Sequence, residues 1–250
     1  MTDVSELFRT NEGIRVPAVT AEQMREVDRI AVEEFGLGIL QMMENAGRNL
    51  AGHVIGMLGR VGGEVTVLAG AGGNGGGGLC CARHLHNRGV KVNLILDRDA
   101  SELHSAAAAQ LRILQAAGLR PVDPTRVEEA IRRAALVVDA LIGYSLRGAP
   151  RGRTAKLIEM CNEHAAQVLS LDVPSGLTAT TGETPGLVVR SDRTLTLALP
   201  RIGLASVPGE LYVADIGIPT EVYQPLGLSF KPFFEDRYWI RLVSRRAETG

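Results

Sequence analysis

The chain has 250 residues, 45% of them hydrophobic and 22% charged, and a formal net charge of −1. That length and balance suit one globular domain with a well-buried core. The near-zero charge leaves no electrostatic footprint for nucleic acid or an anionic membrane. No apolar run approaches the length of a membrane span. Lysine occurs only at Lys91, Lys156 and Lys231, so the remaining basic side chains, apart from histidine, are arginines. Cys80, Cys81 and Cys161 form an odd, sparse set that suits a reducing compartment and reads as small apolar core residues. The polar, acidic start MTDVSELFRTNEG lacks the basic-then-apolar order of a signal peptide, and a cytoplasmic protein is expected.

Residues 1–16 read as a loose lead-in. From Thr20 the pattern turns helical: Thr20 and Gln23 form a candidate capping box, and Met24, Val27, Ile30 and Ala31 share one face. A second helix spans about Ile39 to Leu58, stopped by Gly59. Glu64–Ala69 is a strand, followed by the glycine run 70–78, read as a loop, and a helix through Arg88. Lys91–Leu96 is a second strand and Ser101–Ala117 an alanine-rich helix. A short extended piece near Leu119–Val122 precedes a helix from about Thr125. Ala135–Ile142 is a buried strand with the helix Thr154–His164 after it, and Gln167–Val173 is a strand running into Pro174-Ser175-Gly176. Arg193–Leu199 and Leu211–Asp215 close the series; residues 225–250 are aromatic and then fray into a charged tail. Strands alternating with helices predict a three-layer, doubly wound, Rossmann-like α/β fold with a mainly parallel sheet. One domain is expected over 1–250, its core about 19–220, with 1–16 and 241–250 as loose tails.

Three features gather at the carboxyl ends of strands, where open α/β sheets bind ligands. The first is Gly70-Ala71-Gly72-Gly73-Asn74-Gly75-Gly76-Gly77-Gly78. Its backbone N–H groups and the following helix N-terminus would attract phosphate oxygens. Asp97 ends the next strand about where a ribose-binding acid would sit. The second feature is Asp139 inside an otherwise apolar strand, where a carboxylate must be paired, hydrogen-bonded or bound to a cation. The third is Asp172, capping a strand before a Pro-Ser-Gly turn that would aim it into the same crevice. His84 and His86, two apart on a helix, face different sides and make a poor metal pair.

In order along the chain, these pieces resemble the NAD(P)HX epimerase (NAD(P)H-hydrate epimerase) family, the YjeF N-terminal domain. The similarity runs from about Val19 to Pro219. It is carried by Met42-Met43-Glu44-Asn45-Ala46-Gly47-Arg48, the glycine run continuing into Ala82-Arg83-His84-Leu85, and Val138-Asp139-Ala140-Leu141-Ile142-Gly143. Leu171-Asp172-Val173-Pro174-Ser175-Gly176 and Val213-Ala214-Asp215-Ile216-Gly217-Ile218-Pro219 complete it.

The resemblance implies an isomerase of nucleotide repair that interconverts the R and S forms of hydrated NADH and NADPH (NADHX and NADPHX) at nicotinamide C6. It implies a potassium ion held by Asn74, Asp139 and Ser175 with backbone carbonyls, an all-oxygen shell that suits such a cation. Substrate would contact Gly73, Asn74, Gly75, Gly76 and Gly77, then Gly143, Tyr144, Ser145, Leu146, Arg147, Gly148 and Ala149, together with Asp172. Asp172 would be the catalytic group, giving and taking a proton at the C6 oxygen. A homodimer is expected. The ADP- or ATP-dependent dehydratase fused to some relatives would be a separate chain, since this one ends at Gly250.

The family's loop usually reads G-x-G-N-N-G-G-D-G, whereas Gly73 and Gly77 stand here for its first Asn and its Asp, and Arg201 stands where lysine is common. The arginine fits the arginine-rich composition; the lost carboxylate does not follow from composition. Two other readings therefore stand beside the enzymatic one. One is a catalytically impaired member acting as a nucleotide-binding or protein-interaction module. The other is a Rossmann-type NAD(P)-dependent oxidoreductase, for which no Ser-Tyr-Lys cluster or placed histidine is visible.

Overall fold

A computed structural model describes residues 7–59 and 63–244. In chain order the elements are β1 (Phe8–Thr10), β2 (Arg15–Val16), α1 (Ala21–Glu33), α2 (Ile39–Leu58), β3 (Glu64–Ala69), α3 (Gly73–His86), β4 (Lys91–Leu96) and α4 (Ser105–Ala116). They continue with α5 (Val127–Arg133), β5 (Leu136–Ala140), α6 (Gly152–His164), β6 (Val168–Leu171), β7 (Arg193–Leu197), β8 (Glu210–Ala214) and β9 (Trp239–Ser244). Among the described residues the strands form one sheet in the order β2-β1-β9-β8-β7-β6-β5-β3-β4. Strands β3 to β8 are mutually parallel, and β9, β1 and β2 extend the sheet antiparallel.

Side-chain alternation along the central strands sorts the helices into layers. Val65, Val67 and Ala69 of β3 and Val138 and Ala140 of β5 face a core filled from α2, α3 and α4. Leu68 and Val137 face the opposite core, with α5 and α6. A third cluster joins α1 to the β7–β9 half through Met24, Val27, Ile30, Phe233 and Ile240. The capping box forms as read: the Gln23 N–H donates to Thr20 Oγ1 at 3.1 Å, and the Thr20 N–H to Gln23 Oε1 at 2.9 Å. From β3 the chain steps outward to β4 by way of α3, then returns across β3 to β5, and helices change face at that reversal. The reversal point, between the ends of β3 and β5, is where a crevice must open.

The expected tails are wrong where they are described. Phe8–Thr10 pairs with β9, which itself lies between β8 and β1, so the described parts of both expected tails belong to the sheet. Phe8 and Phe233 are buried, and apolar side chains in the two terminal segments supply the reason. Residues 1–6 and 245–250 of those tails lie outside the described residues.

The glycine run is also not the loop expected of it, because helix α3 begins at Gly73. Only Gly70, Ala71 and Gly72 form the turn; the later glycines are helical, and those from Gly75 to Gly78 are buried. Close approach explains them. A Cβ at Gly75 would lie 1.7 Å from the Gly70 carbonyl oxygen, and one at Gly70 would lie 1.9 Å from that of Leu141. Gly75→Ala should therefore cost about 3 kcal/mol of stability through overpacking against backbone. Gly73→Ala, whose Cβ meets nothing within 4 Å, should be neutral or stabilising by up to about 1 kcal/mol. Urea denaturation of the two variants checks the contrast.

Candidate functional site

A cavity of about 670 Å³ opens at the reversal point. One wall is the turn after β3 and the start of α3. There the first helical bond runs from the Gly76 N–H to the Gly72 carbonyl at 3.0 Å. The N–H groups of Gly73, Asn74 and Gly75 consequently have no intrahelical acceptor, and the helix dipole adds positive potential. The opposite wall is the segment from Leu141 to Arg151.

Asp172 lies at the floor, just past β6. Its φ is +67°, and the Val173 N–H donates across it to the Leu171 carbonyl at 2.9 Å. That is a γ-turn of the rare hand, a conformation costly for any residue with a Cβ. The neighbouring strand β7 ends the same way: Ala198 has φ +62°, and the Leu199 N–H donates to the Leu197 carbonyl at 2.7 Å. The second turn presents two carbonyls to Arg201. Its Nη1 donates to both Leu197 and Leu199, and its Nη2 donates to Asp172 Oδ1 at 2.8 Å. Both partners of this ion pair are buried, Arg201 at 1% exposure.

Tyr144 supplies the other half of the clamp. Its backbone N–H donates to Asp172 Oδ2 at 2.9 Å, and its ring lies under the Arg201 guanidinium, 5.2 Å from ring centre to Cζ. Its hydroxyl donates to Oδ2 of Asp28 at 2.6 Å. Burial holds the Asp28 carboxyl above the usual range, with the Asp172 charge adding to the rise; the Tyr144 hydrogen bond and Arg201 oppose it.

Asp139 sits behind the wall rather than in it. Oδ1 accepts from the Ser175 hydroxyl at 2.6 Å and the Leu141 N–H at 3.3 Å. Oδ2 accepts from the Ser170 hydroxyl at 2.8 Å and the Ser175 N–H at 2.9 Å. Burial still pushes this carboxyl upward, against those four donors. Ser175 Oγ in turn accepts from the Ile142 N–H at 2.8 Å and lies 3.2 Å from the Ile142 carbonyl oxygen. Asn74 lines the cavity, its Nδ2 buried and, among the described residues, without a hydrogen-bond partner. It meets Asp172 at Gly143, where a Cβ would stand 3.0 Å from Asp172 Oδ2 and 3.3 Å from Asn74 Oδ1.

The family model of the YjeF-related protein N-terminus matches residues 39–203, the stretch that builds most of this cavity. The chain belongs to that family. It is 50% identical over 242 residues to an NAD(P)H-hydrate epimerase of Dehalogenimonas lykanthroporepellens, covering 95% of this chain and 97% of the relative. It is 37% identical to an NAD(P)H-hydrate epimerase of Rhodopirellula baltica, over 84% and 88% of the two chains. A bifunctional NAD(P)H-hydrate repair enzyme Nnr of Moorella thermoacetica is 36% identical, but the match covers only 41% of that longer chain. The crystal structure of yeast ynu0 shares the fold, with a TM-score of 0.80 over 90% of this chain and 22% identity.

Most positions carried over from the YjeF-related family meet at the cavity: Gly73, Asn74, Gly77, Gly143, Tyr144, Ser145, Leu146, Arg147, Ala149 and Asp172 line it. Three do not. Gly75 and Gly76 are buried within α3 against Gly70 and Met43, and Gly148 turns out of the lining at φ +72°. Gly77 stands where the family's aspartate would, and a Cβ there would meet Leu171 Cδ2 at 2.7 Å, so a leucine methyl fills that space. Asp97 lines the cavity, but its carboxylate accepts from Arg98 Nε and Nη2 and from the Thr154 hydroxyl, each at 2.9 Å. His84 bonds Glu44 at 2.8 Å from Nε2, a packing contact between α2 and α3.

One residue, Asp28, and one role, that of Arg201, escape a reading of the sequence. Asp28 is one helical turn beyond Met24, at the margin of the apolar stripe of α1, and that spacing is the available signal. Arg201 fits the arginine-rich composition, yet its side chain fixes Asp172. Arg201→Met should cost about 3–5 kcal/mol by stranding a buried carboxylate. Adding Asp172→Asn should recover much of that loss, a coupling that urea denaturation of the double-mutant cycle measures.

Proposed function

We propose that this chain epimerises hydrated NADH and NADPH at C6 of the nicotinamide ring. The observation that carries the reading is Asp172, buried at the cavity floor and clamped by Arg201 and the Tyr144 N–H beside the open start of α3. The 50% identity to an NAD(P)H-hydrate epimerase over nearly the whole of both chains supports the substrate class.

The N-terminal N–H groups of α3 are suited to phosphate oxygens of a dinucleotide, and the apolar Met42, Met43 and Leu141 to a flat ring. The C6 hydroxyl of the substrate sits beside N1, whose lone pair expels it once the oxygen is protonated. Asp172 is the group assigned to that oxygen. Each of its oxygens accepts one hydrogen bond, which leaves a lone pair on each for the proton. The clamp fixes its direction, so the proton is handled at one defined point above the floor.

The absent side chains at Gly73 and Gly77 frame the alternative, a member that binds a nucleotide without turning it over, which the 50% identity to an NAD(P)H-hydrate epimerase does not favour. A dehydrogenase is disfavoured because Asp97, the acid expected to meet a ribose, is engaged by Arg98 and Thr154.

A cation belongs to the proposal. The Ser175 hydroxyl, the Ile142 carbonyl and the Asn74 amide supply oxygen donors, and the Asp139 carboxylate would add one by giving up one of its four hydrogen bonds, a chemistry that fits potassium. The unpartnered Asn74 Nδ2 marks an amide whose surroundings are incomplete. Asn74, Asp139 and Ser175 would hold the ion, which would add positive charge beside bound substrate.

Two outcomes test these statements. The wild type should accelerate equilibration of purified NADHX epimers above the spontaneous rate. Asp172→Asn, an amide well suited to the left-handed backbone, should lose about 10²–10⁴-fold in turnover while still binding NADP. A silent wild type that binds NADP selects the binding reading. Replacing choline by potassium should raise the melting temperature of the wild type and not of Asn74→Ala, read by differential scanning fluorimetry.

A further inference from the structure

Three carboxylates line the cavity, and they differ in what their oxygens are doing. Asp97 accepts three hydrogen bonds, from Arg98 and Thr154, and each oxygen of Asp172 accepts one, from Arg201 or the Tyr144 N–H. Asp28 is different. Its Oδ2 accepts from the Tyr144 hydroxyl, and among the described residues no hydrogen bond is made to Oδ1. It arrives from α1, which otherwise gives the cavity lining only Met24, whereas Asp172 comes from the end of a sheet strand. One residue touches both: Tyr144 holds Asp172 with its backbone N–H and Asp28 with its hydroxyl, and so fixes them about a tyrosine's length apart. The charged and titratable groups that face Asp28 are Arg201, Asp172, Tyr144 and Tyr223.

Building on the epimerase reading, we propose that Asp28 is a second proton-transfer residue of the reaction, sharing one proton with Asp172 across the cavity. The stereochemistry requires such a partner. When the C6–O bond breaks, its electron pair leaves with the oxygen, which takes a proton from one carboxyl group and departs as water. The N1 lone pair becomes the N1–C6 π bond. Water then attacks C6 from the opposite face, the π pair returns to N1, and the surplus proton of that water goes to a base on that face. A carboxylate clamped through both oxygens serves one face of a ring. Two carboxylates flanking an electron-poor carbon serve both, as they do at a glycosidic carbon. One turnover moves a proton from one aspartate to the other, and the pair then holds the protonation state that the reverse reaction needs.

The test compares wild type, Asp28→Asn, Asp172→Asn and Tyr144→Phe on each purified epimer across pH, with calorimetric binding of NADP alongside. Asp28→Asn should lose at least about 100-fold in turnover with NADP affinity within about threefold of wild type. The wild-type profile should be bell-shaped, because the active pair carries a single proton. Tyr144→Phe removes the hydrogen bond that lowers the proton affinity of Asp28, so the alkaline limb should move to higher pH. Asp28→Asn turning over within about threefold of wild type, with Asp172→Asn silent, overturns the proposal and leaves the epimerase reading standing. A loss in Asp28→Asn matched by an equal loss of NADP binding, with the Tyr144→Phe limb unmoved, also overturns it. A wild type silent on both epimers brings down the epimerase reading and this inference together.

Discussion

A carboxylate and a guanidinium buried side by side are stable only if every remaining lone pair and proton nearby is answered. The Asp172–Arg201 pair is met from three directions, and much of the local architecture follows from that requirement. Strand β7 must end in a turn that turns two carbonyls toward Arg201, which places Ala198 in a left-handed conformation. Strand β6 must end in the matching turn to bring Asp172 alongside. The loop after β5 must then pass close enough for the Tyr144 N–H to reach the second carboxylate oxygen. Gly143 permits that passage, since any Cβ there would press on Asp172 and Asn74. Strain in two adjacent turns is thus stored where the ligand crevice lies, supported by an ion pair that could not be left half made.

Asp139 has the corresponding role on the adjacent strand. Its four donors come from the ends of β5 and β6 and from the turn that carries Ser175, so it laces together the segments on which the cavity wall rests. A buried carboxylate of this kind was legible from its apolar neighbours. What it bonds to was not, because Ser170 and Ser175 lie more than thirty positions away in the chain.

The sheet and its order of helices were readable because the apolar period changes cleanly between segments such as Glu64–Ala69 and Ser105–Ala116. The glycine run misled because glycine carries two messages. Its conformational freedom suggests a loop, while its missing Cβ suits a helix pressed against backbone, and here the second prevails from Gly73 onward. The terminal segments misled for another reason: Phe8–Thr10 and Trp239–Ser244 are too short and too mixed to announce strands, and only pairing with each other makes them so. Asp172 stood out by its Pro-Ser-Gly turn, but Asp28 is marked only by its place at the margin of an apolar stripe, and its neighbour Tyr144 is 116 positions distant.

The insertion of β9 between β8 and β1 has a consequence for how the molecule is made. Phe8 finds its partner in Ser244, so among the described residues the earliest strand made pairs with the latest. Until β9 is synthesised, β8 presents an open edge and the β1–β2 hairpin has nothing to join, although the parallel centre from β3 to β8 is already complete. Vectorial synthesis therefore separates assembly into two stages: an early crevice-bearing centre and a late closure spanning nearly the whole chain. The α1 helix packs on buried side chains of the late stage, Val222 and Phe233 among them. Asp28, carried on α1, is thus held in part by side chains that are made after β8.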